Sequence, residues 1–143
     1  MKRARTLITL CLLFTAAALH AQTTESQRLM TVKIPFAFAV EDHTLPAGKY
    51  LVLTVTPERS IRIVGIDGNH SAVVTTLPNY VTLPSANSRL VFHRYGNQYF
   101  LTQVWTAGQN VARNPLSNMR AMEIAGSGGV PQTLTVFAIA DRR

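Results

Sequence analysis

Turn chemistry punctuates this chain every eight to twelve residues from Leu45 onward, and the runs between turns are short and largely apolar. That spacing excludes the long helical crossovers of a parallel βαβ fold and selects short strands joined mostly by hairpins. Leu45-Pro46-Ala47-Gly48 is the first such turn: Pro46 presets its own φ, and Gly48 can take the left-handed conformation. Asp67-Gly68 separates the runs 61–66 and 71–77, and Gly96-Asn97 separates 88–95 from 98–105. Both dipeptides tolerate positive φ, and Gly in the first central position of the second predicts a type II′ hairpin turn.

Further strands are expected over 31–40, 49–56 and 131–140, while Pro78 and Pro84 confine 79–83 to an edge strand or a loop. Asn114-Pro115 reads as an N-cap with proline at the first helical position, and Gly126 ends that helix. Leu116, Met119 and Met122 give it a modest apolar stripe. The expectation is an all-β domain with one short helix near its C-terminal end, a small β-sandwich, with a closed β-barrel as the alternative.

The N-terminus carries an address. Lys2, Arg3 and Arg5 precede thirteen uncharged residues, 7–19, and Ala21 stands just before the polar run 22–26. Thirteen residues make a helix of about 20 Å, short of the ~30 Å hydrocarbon core, so 1–21 reads as a signal peptide. Cleavage after Ala21 leaves bulky Leu19 at the third position before the cut, which makes Ala18 the second choice. Residues 22–30 then form a flexible lead-in and 31–143 a single β-rich domain, secreted to the periplasm or the extracellular space. Cys11 leaves with the signal, and the bulky Leu10 before it argues against a lipoprotein anchor. The remaining 122 residues hold no cysteine, so packing alone must hold the fold in an oxidising compartment.

Charge narrows the partners. The processed chain carries 11 basic and seven acidic residues, and the basic ones are spread singly, with only Arg142 and Arg143 adjacent to each other. Nucleic-acid binding needs a clustered basic stripe, and none is present. No second apolar stretch approaches eighteen residues, so no membrane span is expected in the mature chain. An outer-membrane barrel needs strands of about ten residues, whereas several here are shorter and are interrupted by Pro78, Pro84 and Pro131.

The run Val32-Lys33-Ile34-Pro35-Phe36-Ala37-Phe38-Ala39-Val40, then Leu45-Pro46-Ala47-Gly48-Lys49-Tyr50, is followed downstream by Leu90-Val91-Phe92-His93-Arg94-Tyr95-Gly96, Tyr99-Phe100-Leu101 and Trp105-Thr106-Ala107-Gly108. In that order these pieces resemble a group of small secreted proteins that recur in acidobacterial genomes. The resemblance covers most of 31–110 and implies an exported β-rich domain; the group brings no assigned activity. The chain departs from it in the weakly charged segment 116–124.

Chemistry-bearing motifs are sparse. His43 lies beside Glu41 and Asp42, but no H-x-H or H-E-x-x-H spacing supports a metal site, and a solvated loop is the expectation there. His70 follows a turn and is expected to be exposed. No G-x-S-x-G elbow occurs, and 126–129 lacks the lysine of a phosphate loop. Neither a catalytic residue, a metal nor a cofactor is expected. The reading is a non-catalytic binding or structural module of the envelope or extracellular space, whose partner is a protein, a glycan or a small apolar ligand. The alternative is a small secreted hydrolase built from scattered carboxylates or histidines. It requires two of Glu41, Asp42, His43, Glu58, Asp67, His70, His93 and Glu123 to meet in a pocket.

The hairpin 88–105 carries the candidate site. A two-residue turn pairs Tyr95 with Gln98, Arg94 with Tyr99, His93 with Phe100, Phe92 with Leu101 and Val91 with Thr102. Alternation then places Leu90, Phe92, Tyr99, Leu101 and Trp105 on the core face, interrupted by Arg94 and Gln103. The opposite face carries Val91, His93, Tyr95, Phe100 and Val104, too apolar for a solvated surface. Either the segment 114–125 covers it, or it binds a ligand with His93, Tyr95 and Phe100 at its centre.

Overall fold

Pro35 splits the first apolar run in two. The computed structural model describes residues 26–56 and 59–140; the expected signal peptide, Glu58 and the Arg142-Arg143 pair lie outside the described residues. Strand β1 (Arg28–Ile34) starts inside the expected lead-in and pairs antiparallel with β4 (Gly48–Thr56). Strand β2 (Phe38–Val40) lies elsewhere, parallel to β8 (Gln98–Trp105), with Ala39 opposite Phe100. The expected single strand over 31–40 is therefore two strands. Pro35 has no N–H to continue the first ladder. Next to it, the Phe36 ring stacks on Tyr99 at 3.9 Å and meets Phe92 edge-on at 5.1 Å, drawing the chain across the core.

The remaining elements are β3 (His43–Leu45), β5 (Ser60–Gly65), β6 (Ser71–Tyr80), β7 (Arg89–Tyr95), β9 (Val111–Pro115), α1 (Met119–Gly126) and β10 (Gln132–Phe137). The protein is all-β with a single short helix. Its strands form one open ten-stranded sheet, running β1-β4-β5-β6-β9-β8-β2-β3, with β7 on β8 and β10 on β7. The outer strands β1 and β10 approach each other at one bridge, Val32 opposite Ala138, backed by the Ile139 N–H donating to Thr31 O at 2.8 Å.

Strict alternation in β1, β4, β5 and β6 turns Val32, Tyr50, Val52, Ile61, Ile63 and Val74 inward, each nearly solvent-free. Side chains from the other half, Phe38, Leu90, Phe92 and Val104, join the same core. Phe38 links the halves, with its ring 5.5 Å from both Tyr50 and Phe92 in edge-on geometry. Burial of each such side chain contributes on the order of 1.5–3 kcal/mol.

β6 passes from one half of the sheet to the other. Its first residues pair with β5, and Thr76 to Tyr80 pair with β9. It runs through Pro78 to Tyr80, beyond the expected end at Leu77; 79–80 pairs on one side only, with β9, and 81–83 lies outside the strands, in keeping with the edge strand or loop expected for 79–83. Thr76 N–H donates toward β5, to Arg59 O, so alternation points the missing N–H of Pro78 to the same side. β5 has already ended there, and no ladder bond is lost.

The Gly96-Asn97 tip forms as expected, with Gly96 at φ 59 and Asn97 at negative φ. Around Asp67-Gly68 the loop is longer than two residues. Gly65 N–H closes it on His70 O at 2.7 Å, and only Gly68 takes positive φ.

Two expectations fail in the second half. The helix does not start at Asn114-Pro115: 111–115 is β9, between β6 and β8, and Asn118 caps α1 by accepting the N–H groups of Arg120 and Ala121. Proline at 115 biases Asn114 toward extended backbone, and the free side of β6 rewards that conformation with a ladder. The second failure is a one-residue slip in the hairpin. Pairing follows the expectation from Tyr95–Gln98 to Phe92–Leu101, but Val91 then faces Gln103, leaving Thr102 as a bulge. Past the bulge the faces exchange, so Val104 is core and Trp105 lies outside.

Candidate functional site

The β9–α1–β10 connection runs from one side of the β7–β8 hairpin to the other, which carries α1 over the hairpin's outer face. The apolar residues of that face fall under it because alternation on β7 turns Leu90 and Phe92 inward and Val91, His93 and Tyr95 outward. On β8, Phe100 lies opposite His93, and its ring is 6.0 Å from that of Tyr95 at 68°. Between this face and α1 lies a cleft of about 360 Å³.

The three residues singled out from sequence, His93, Tyr95 and Phe100, all line it. Phe100 is 4% exposed, while His93 and Tyr95 are half-buried. The helix buries none of its own residues. It is a cover rather than a core element, and it leaves the cleft open beneath it. Its side of the cleft is small or flexible: Ala121, Met122 and Ala125.

Sequence reasoning missed the polar half of the site. Gln103 reaches it because the Thr102 bulge turns that residue outward. Thr102 Oγ1 donates to Val91 O at 3.0 Å, which ties the bulge to β7, and Gln103 Oε1 accepts the Trp105 indole N–H at 2.9 Å. Asn114, expected as a helix cap, instead stands on β9 at the edge of the cleft. Its Oδ1 is buried with no hydrogen-bond partner. Asn118 caps the helix, and its Nδ2 donates to Glu41 O, which anchors the helix start to the β2–β3 turn. The one available signal was the pair of asparagines, 114 and 118, either able to cap; only the pairing of 111–115 with β6 decides between them.

The candidate acid–base groups are mostly apart. Glu41 gives its carboxylate to the Thr75 N–H, Asp42 is exposed at the β2–β3 turn, His43 is exposed on β3, and Glu123 is exposed on α1. Asp67 and His70 do share a depression of about 470 Å³ with Lys49 and Tyr50. Both are exposed, and Asp67 Oδ1 already accepts the Asn69 N–H at 3.1 Å within its turn. Burial, with a smaller contribution from the Asp67 charge, raises the Tyr50 phenol above its ordinary pKa, and its O–H donates to Pro46 O at 2.6 Å. Among the described residues no group of three or more His, Cys, Asp or Glu side chains is arranged to hold a metal.

A groove of about 720 Å³ on the outer face of β1, β4 and β5 is larger, but Leu51, Val64, Ile66 and Ile139 make it mainly an apolar surface trough. The cleft under α1 combines aromatic rings with converging polar groups, which is what a small-molecule site needs, and it is the candidate site. No family model, no curated protein and no solved structure matches the chain.

Proposed function

We propose that this protein is an exported, non-catalytic binding module that takes a small ligand into the cleft between α1 and the β7–β8 hairpin. The observation that carries the reading is the composition of that cleft. Tyr95 and Met122 supply apolar surface, and Thr102, Gln103, Ser117 and Asn118 supply hydroxyls and amides. Apolar surface with a few polar groups around it in a concave site is the combination that holds and orients a small ligand. Export rests on the charged start, the uncharged run 7–19 and Ala21; among the described residues no helix is long and apolar enough to cross a membrane.

The hydrolase alternative has one foothold, the Asp67–His70 depression, and its carboxylate is held in a turn. Amide chemical shifts separate the two readings. A mixture of small neutral, acidic and apolar compounds is expected to shift resonances of His93, Tyr95, Phe100 and α1. Shifts confined to Asp67, His70 and Lys49, with hydrolysis of an ester or glycoside probe lost in Asp67→Asn, would overturn the binding-module reading. N-terminal sequencing of the exported protein is expected to begin at Gln22.

A further inference from the structure

We infer that the trough on the outer face of β1, β4 and β5 binds a single-chain anionic amphiphile, a long-chain carboxylate, with its head on Lys33 and Lys49 and its chain on the apolar floor. This is a second site, separate from the cleft under α1, and it stands whether or not that cleft takes a ligand.

The floor comes from alternation. Inward residues of these strands fill the core, and in an antiparallel sheet with one face in water the outward ones are commonly polar. Here the outward positions include Leu29, Leu51 and Val64, each half-buried, with Leu51 opposite Val64. Ile66, just past the end of β5, and Ile139, whose N–H donates to Thr31 O, extend the same surface and are 51% and 43% exposed. These five side chains line a concave volume of about 720 Å³, within the range of ligand sites, and all of them are open to solvent.

The head site comes from register. Lys33 and Lys49 are cross-strand partners in the β1–β4 ladder, both exposed on the outer face; Lys49 lines the trough and Lys33 stands beside it. Directly opposed residues have Cβ atoms about 5 Å apart, and like charges there repel. Strands β1, β4, β5 and β6 contain no Asp or Glu, and among the described residues no ion pair neutralises either lysine. Asp67, in a depression that also borders Lys49, gives its Oδ1 to the Asn69 N–H. An anionic head between the two ammonium groups replaces one repulsion with two attractions.

Charge and shape also disfavour the other occupants. A second copy docked face to face would set Lys33, Lys49 and the exposed Arg62 of one chain against the same three cations of the other, with no carboxylate on these strands between them. A neutral hydrocarbon covers the floor but leaves the lysine pair uncompensated. A flat bilayer surface does not fill a concave trough, whereas one flexible acyl chain does.

The test is titration of the full exported chain, by calorimetry and amide shifts, with laurate, butyrate and dodecyltrimethylammonium below their critical micelle concentrations, and with phosphatidylglycerol vesicles. Laurate is expected to bind and to shift Leu51, Val64, Ile66 and Ile139. Butyrate lacks the chain and dodecyltrimethylammonium has the wrong charge, so each is expected to bind at least tenfold more weakly. The double variant Lys33→Gln, Lys49→Gln is expected to weaken laurate at least tenfold while the denaturation midpoint stays or rises, because a repulsion has gone. Leu51→Thr keeps a strand-forming residue and both lysines, and is expected to weaken laurate through the floor alone. Equal affinity for laurate and dodecyltrimethylammonium would overturn the head site. Laurate binding that both variants retain, or that shifts only the cleft under α1, would place the ligand elsewhere and overturn the proposal. Vesicle binding without binding of monomeric laurate would make the face a membrane-docking surface and overturn it as well, as would no binding of any probe.

Discussion

The Glu41 carboxylate accepts the Thr75 backbone N–H at 2.7 Å, at the point where β6 leaves β5 for β9. Thr75 O still accepts the Leu116 N–H, but β9 ends at Pro115, so a side chain takes the donor that a strand would have taken. Glu41 reaches it from a left-handed backbone, φ 47, the only positive φ outside glycine among the described residues. Glu41→Ala is expected to lose about 1–2 kcal/mol, because the charged acceptor goes and the strain stays. Glu41→Gly loses the same acceptor but relieves the strain, so its loss should be smaller. Urea denaturation of the two variants checks this; equal midpoints would remove the strain from the account.

Gly96→Val tests the hairpin turn without touching packing. A Cβ there meets nothing within 4 Å, so the effect is expected to come from the φ of 59. The expected loss is roughly 1–3 kcal/mol. An unchanged denaturation midpoint would show that the turn tolerates a β-branched residue.

Phe100 is the buried member of the cleft. Phe100→Ala is expected to lose roughly 3–5 kcal/mol, the range for truncating an aromatic ring in a packed setting. His93→Ala, at a half-buried position on the same face, should fall below about 1.5 kcal/mol. Thermal and chemical denaturation in parallel measure both. Similar losses for the two would mean that α1 packs more tightly over His93 than its exposure indicates.

Tyr50 couples stability to alkaline pH. Its folded-state pKa lies above the free-phenol value near 10. The folded chain therefore holds this proton where the unfolded chain releases it, and stability falls as pH rises above about 10. Below that value the contribution is complete and flat. Denaturation midpoints between pH 8 and 11 should show the fall, and Tyr50→Phe should flatten it while losing the hydrogen bond to Pro46 O.

Much of this architecture is written locally. The hairpin tip at Gly96, the alternation that buries Tyr50, Val52, Ile61 and Ile63, and the end of the helix at Gly126 each follow from a few adjacent residues. The His93, Tyr95 and Phe100 cluster was legible for the same reason, since a two-residue turn sets the register of its neighbours. Other features depend on partners distant in sequence. Thr102 bulges because that slip lets Val104 fill the core and sets Trp105 against the Arg89 guanidinium, 4.7 Å from the ring centroid; neither preference is visible from 98–105 alone. Asn114 and Asn118 are equally good caps, and the choice fell to β6, whose unpaired side drew 111–115 into a strand. That choice turned Asn114 from a cap into the edge of the cleft. Sequence by itself determined most of the strands, the Gly96 turn and the aromatic half of the site, because turn and alternation rules act over a few residues. The polar half came only from tertiary structure, because a bulge and a strand pairing are settled by the burial and hydrogen bonding of residues far apart in the chain.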